Sequence, residues 1–145
     1  MQFDSQNQEK TYQQVKQWAT EIFGEDVYLR KDAPEVSIPR GSTMLRIQVH
    51  DWGEGKVGIR ALSYMVEGAE IDEALMRFLL EKNDDVVFGG FGIDSDGDVV
   101  YQHSILATGM DKEEFRAAVK AVAAVADDFD DEIVSRWGGK RALER

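Results

Sequence analysis

The chain reads as an α+β protein, an antiparallel sheet of about five strands with three helices in the order α-βββ-α-ββ-α. Three observations predict it. Apolar residues recur at helical spacing in three separate stretches. Between those stretches, apolar and polar residues alternate with a period of two. Two tight turns, Trp52-Gly53-Glu54-Gly55 and Asp94-Ser95-Asp96-Gly97, join strand-like runs as hairpins do.

Each element follows in order. Residues 1–8 are polar and read as a frayed end. From Gln8 to Phe23, the residues Tyr12, Val15, Ala19, Ile22 and Phe23 make one stripe, and Gly24 is a stop signal. Val27-Tyr28-Leu29 reads as a short strand and Val36-Ser37-Ile38 as another. Pro34 and Pro39 flank the second, which confines it to a sheet edge or an extended loop. From Thr43 to Asp51, Leu45, Ile47 and Val49 face one side, while Arg46, Gln48 and His50 face the other. The strand returns from Lys56 to Val66, and Gly68 closes the hairpin. Residues 70–82 form the second helix, with Ile71, Ala74, Leu75, Phe78 and Leu79, ended by Asn83-Asp84. Asp85 to Ile93 and Asp98 to Ala107 are the second hairpin. Asp111 opens the last helix, with Glu114 as its capping-box partner. Its stripe is Phe115, Ala118, Val119, Val122, Ala126, Phe129 and Ile133; Trp137 lies near its end, and Gly138-Gly139 stops it. Lys140 to Arg145 reads as a mobile tail. With no repeat and no long linker, residues 1–145 read as one domain with an ordered core over about 8–138.

Composition excludes several classes of function. The formal charge is −11, from 17 basic and 28 acidic residues. Phosphate backbones and anionic lipid surfaces are poor partners for such a chain, so a basic or apolar partner is expected. There is no cysteine, which removes disulfides, thiol chemistry and Cys-ligated zinc. No apolar run spans a bilayer, and Met1 to Gln8 does not read as a signal peptide; a cytoplasmic location is expected.

No residue announces a reaction. Asp94-Ser95-Asp96-Gly97-Asp98 resembles the start of a calcium loop, but the distal Glu is missing, and a tight turn explains the same residues. Gly89-Gly90-Phe91-Gly92 lies in a strand pattern and lacks phosphate-loop spacing; close backbone or aromatic packing, or a bulge, accounts for it. His50 and His103 have no His or Cys at ligand spacing. Asp127-Asp128-Phe129-Asp130-Asp131-Glu132 reads as a solvated helix face with Phe129 turned in. No Ser or Thr sits in a nucleophile motif, so the chain is expected not to be an enzyme and to need no cofactor.

Apolar surface says more. On residues 57–65, Val57, Ile59, Ala61 and Met65 oppose Leu62, Tyr64 and Val66. On residues 99–107, Val99, Tyr101 and Ile105 oppose Val100 and Leu106. A sheet covered on one side should be polar on the other. Met76 and Leu80 likewise lie off the main stripe of the second helix. A second copy is the simplest cover, which predicts a homodimer with Ile71, Leu75, Met76 and Leu80 at its interface. Val36, Ile38, Trp52, Leu62, Tyr64 and Phe91 are the candidate contacts for a protein or peptide partner.

The element order over about residues 8–138 resembles the YbjN and type III secretion chaperone-like superfamily. The likeness rests on the leading amphipathic helix, Thr43–Val66, the helix Ile71–Lys82, the hairpin Asp85–Ala107 with its Asp-Gly turn, and the acidic final helix. It implies a dimer that holds an extended client segment along apolar patches, without cofactor and with no catalytic residue to carry over. The reading is therefore a non-enzymatic, dimeric, protein- or peptide-binding module. A second reading, a calcium- or small-ligand-binding regulatory domain using Asp94, Asp96 and Asp98, stays open at this point.

Overall fold

The computed structural model describes residues 1–143. Helix α1 (Gln6–Phe23) begins where the Ser5 side chain accepts from the Gln8 N–H, and it ends at Gly24, whose φ of 67° suits glycine. Strands β1 (Tyr28–Leu29), β2 (Glu35–Arg40), β3 (Thr43–Gly53) and β4 (Lys56–Glu67) follow. Helix α2 (Glu73–Asp85), strands β5 (Gly90–Ile93) and β6 (Val99–Leu106), helix α3 (Lys112–Trp137) and strand β7 (Lys140–Arg141) complete the chain. The sheet order is β1-β2-β3-β4-β6-β5, every pair antiparallel, with β7 beside the end of β4.

The long β3–β4 pair is the spine. Its turn places Glu54 and Gly55 both at positive φ, 56° and 75°, a geometry that matches strand twist. The register sets Leu45 opposite Ser63, Ile47 opposite Ala61 and Val49 opposite Ile59. All six are buried. β6 extends the row by setting Tyr101 opposite Ser63. α1 and α3 lie on this face: Val15, Ala19, Phe115, Val119, Val122, Ala126 and Ile133 share its core. α2 joins the same side. Phe78 meets Trp137 and Phe129 of α3, and Phe129 meets Phe91 of β5. Each buried Val, Leu, Ile or Phe contributes roughly 1.5–3 kcal/mol.

Several segments depart from the sequence reading. The start of the chain is tied down, because Gln8 Nε2 donates to Val49 O and Asn7 Nδ2 to Gly55 O. α2 begins at Glu73 because the Asp72 side chain caps it through Leu75 N–H, leaving Ile71 outside the helix. β5 begins only at Gly90. Before it, Gly89 has φ +90°, and a Cβ there would lie 2.5 Å from Gln102 O. The chain therefore enters the sheet late, leaving Val87 and Phe88 exposed. Lys140 and Arg141, read as tail, pair with Glu67 and Val66, and Leu143 N donates to Ser42 O. Glu144 and Arg145 lie outside the described residues.

The turn before β3 is pinned to α3 by two carboxylates. Asp127 Oδ1 lies 3.1 Å from Ser42 N and 2.8 Å from Ser42 Oγ. Fully buried Asp130 also bonds Ser42 Oγ, and its Oδ1 has no partner. Burial raises the Asp130 carboxyl above the ordinary range, while the Ser42 bonds lower Asp127. A serine hydroxyl has one proton, so a protonated Asp130 can donate to Ser42 Oγ, which then donates to Asp127.

A raised folded-state carboxyl favours folding fully below its unfolded value, and this contribution is lost as pH rises through the folded value. Asp130→Asn keeps a donor toward Ser42 and carries no charge. It is expected to be more stable than the parent at pH 7 by about 1–3 kcal/mol, the usual cost of an unsatisfied buried group. The gap closes as pH falls and Asp130 takes up its proton. Urea titrations of both proteins from acid to neutral pH read this directly.

Candidate functional site

Because side chains alternate across a strand, sealing one face under helices fixes the composition of the other. The outer face carries Met44, Arg46, Gln48 and His50 from β3. From β4 it carries Arg60, Leu62 and Tyr64, and from β6 Val100, Gln102 and Ser104. The register arranges these in rows. Met44, Tyr64 and Val100 form one, Arg46, Leu62 and Gln102 the next, and Gln48, Arg60 and Ser104 a third. The face is thus apolar at one end and basic-polar towards the other. The Arg46 guanidinium lies 4.7 Å from the Tyr64 ring centroid, a stacked arrangement. Beside it is a shallow hollow of about 430 Å³, bounded by Met44, Arg46, Tyr64, Val66, the acidic Glu67, Asp96 and Asp98, and the tail residues Ala142 and Leu143.

The sheet edges differ in kind. Along β5, Asn83 of α2 accepts from Phe91 N–H at 2.6 Å and donates to Phe91 O at 3.3 Å. The side-chain amide stands where a neighbouring strand would pair. At the other end, Arg30 N donates to Glu35 O, so Glu35, Ser37 and Pro39 of β2 turn their main-chain groups towards β1. β1 stops short of Pro39, and proline has no N–H to offer there. β1 is open, with Tyr28 and Leu29 exposed, and among the described residues 103–106 of β6 extend past β5 without a strand on that side.

α2 presents Met76 and Leu80 to solvent, Leu80 at 70%. With Glu73, Arg77, Glu81 and Asp84 they border a hollow of about 490 Å³.

The candidate residues fall into two groups. Val36 and Ile38 are 0% exposed. They pair with Ile47 and Leu45 on the helix-covered face, so they cannot touch a partner. Phe91 is also turned inward, 4.8 Å from the Tyr101 ring. Leu75 packs into the core under α2 and is corrected from interface to core. By contrast, Ile71, Met76 and Leu80 are exposed, and Trp52 is 77% exposed at the β3–β4 hairpin. Leu62 and Tyr64 lie on the outer face, Leu62 largely covered by its neighbours. Sequence reading missed Tyr28, Leu29 and Phe88 as surface, treated Arg46 as an ordinary polar alternate and did not single out Arg60.

Asp94, Asp96 and Asp98 bring one carboxylate oxygen each within 4.8 Å of the others. Asp94 Oδ1, however, already accepts from Asp96 N and Asp98 N, which is how the turn holds itself together. Three carboxylates fall short of the six to eight oxygens calcium takes. Asp98 is raised by burial and by Asp94, Glu67 and Asp96. His50 is exposed and meets Gln48, whereas His103 stacks edge-on against Phe88. The acidic segment of α3 is only partly solvated, since Asp130 is buried and Asp131 pairs with Arg141. Among the described residues no helix is long and apolar enough to cross a membrane.

These features define an α+β domain with one sheet face not covered by helices and an open edge at β1. Residues 9–145 match the family model described as T3SS (YopN, CesT) and YbjN peptide-binding chaperone 1, and the chain belongs to that family. By family it is a chaperone-like peptide-binding module. Three solved structures share the fold. The ExsC-ExsE complex is 18% identical with a TM-score of 0.68, covering 87% of this chain and 95% of that one. The HopA1-SchA chaperone-effector complex is 10% identical with a TM-score of 0.65, covering 90% and 99%. YbjN from E. coli, described as a putative transcription regulator, is 14% identical with a TM-score of 0.56, covering 83% and 92%. No curated protein sequence matches.

Replacing Asn83 with Ala should free the Phe91 main chain. Its amide is expected to exchange with deuterium about tenfold faster, equivalent to one hydrogen bond of roughly 1.4 kcal/mol. Amide exchange followed by NMR checks this; an unchanged rate would mean that the side chain does not close the edge.

Proposed function

We propose that the protein is a non-enzymatic, homodimeric module that holds an extended segment of a client protein on the outer face of its sheet. The observation that carries this reading is that face: Met44 and Tyr64 stand half-exposed on it over the largely covered Leu62 and Val100, while the helices pack on the opposite side. Tyr64 supplies a large, stiff ring at low entropic cost, and the hollow beside it accepts one side chain. The open β1 edge, with Tyr28 and Leu29, offers main-chain pairing to a client strand. Trp52 extends the contact at the hairpin end. A relative in the HopA1-SchA chaperone-effector complex supports a protein client. A chain without cysteine suits the cytoplasm as its compartment.

The dimer is assigned to α2. Met76 and Leu80 are apolar, exposed and adjacent one turn apart, with charged residues at their rim. Leu80→Asp with Met76→Asp is expected to convert dimer to monomer in light scattering, with helix content by circular dichroism unchanged. A parent protein that is already monomeric at high concentration removes this part of the reading.

Client holding is tested with a displayed peptide library. Selected peptides are expected to shift the amides of β3, β4 and β6, and Tyr64→Asp should weaken them about tenfold or more, on the scale of one lost anchor. Peptides that map only to the helices would overturn the assignment of the outer face.

A further inference from the structure

The net charge predicts a basic or apolar partner, yet the outer face carries the opposite local sign. Most arginines elsewhere are spent: Arg30, Arg77, Arg116, Arg136 and Arg141 each pair with a carboxylate, while Arg40 pairs with none and lies over the Phe23 ring. Among the described residues Arg46 and Arg60 pair with none, and the sheet register places both on the outer face, on adjacent strands. The nearest acid on β2, Glu35, is already engaged by Arg30 and Gln48. Arg46 is held by its stack on Tyr64, so its guanidinium fork is presented with little freedom left to lose. In a chain of net charge −11, two arginines set diagonally across neighbouring strands, neither ion-paired, beside the Met44–Tyr64 row are a specific arrangement.

We propose that the outer face selects an acidic extended segment, in which carboxylate side chains alternate with large apolar ones. The carboxylates dock on Arg46 and Arg60, and an apolar side chain enters the hollow beside Met44 and Tyr64. The acidic end of the hollow, Glu67, Asp96 and Asp98, disfavours a carboxylate there and so fixes the direction in which the segment lies. This inference rests on the client-holding reading and adds the chemistry of the client. The global charge repels such a segment, but beyond about 8 Å at physiological salt that repulsion is largely screened. The arginines act at contact.

Two synthetic peptides serve as probes, one alternating Glu with Leu and Phe, the other with Lys in every Glu position. The Glu peptide is expected to bind about tenfold tighter or more in calorimetric titration, to weaken as salt rises, and to shift the Leu62 and Tyr64 resonances. R46E/R60E should reverse the order of the two peptides; R46Q/R60Q, which keeps side-chain bulk, should abolish the preference. If the Lys peptide binds the same resonances as tightly as the Glu peptide, the charge assignment falls and client holding stands. If neither peptide binds, both fall. If R46E/R60E instead dissolves the dimer in light scattering, the face is a self-interface and the proposal is overturned.

Discussion

Everything in this molecule depends on one-sided burial of a twisted antiparallel sheet. The rows Leu45-Ile47-Val49 and Ile59-Ala61-Ser63 are sealed beneath α1 and α3, with Val119, Val122 and Ala126 of α3 in the shared core. A pleated strand cannot bury one set of side chains without offering the alternate set to the other side. The outer surface is therefore a direct product of the fold: each residue that stabilises the core fixes a neighbour that faces outward.

That division explains why the functional surface can be mixed. The inner rows answer to packing and are uniformly apolar or small. The outer rows are free of that demand, and there Met44, Tyr64 and Val100 sit beside Arg46, Arg60 and Gln48. The pin between Ser42, Asp127 and Asp130 holds the start of β3 against α3, and so sets the position of Met44 and Arg46 from beneath.

Much of the architecture was legible from period and punctuation. The α3 N-cap at Asp111, whose side chain accepts from Glu114 N–H, the two hairpins and the inward set of β3 all follow from local rules, and the structure keeps them. What escaped depends on tertiary context. Val36 and Ile38 looked like surface because prolines flank them, but β2 pairs with β3 through its other side, and Pro39 meets only the open edge. Leu75 could not be told from Met76 without knowing which way α2 rolls onto α3. The short β7 carries no hydrophobic pattern, since its pairing is made by main chain alone. The outer arginines were invisible as a site because alternation marks a residue as outward-facing without saying what it lacks there. Family membership, not reactive chemistry, supplied the class of function.

Asn83 carries a consequence for stoichiometry. A protein that accepts strands at both margins of its sheet can be joined end to end, each added strand becoming a template for the next molecule. Here a single amide from a helix takes both main-chain groups of Phe91, so at that position β5 has nothing left to offer an incoming strand.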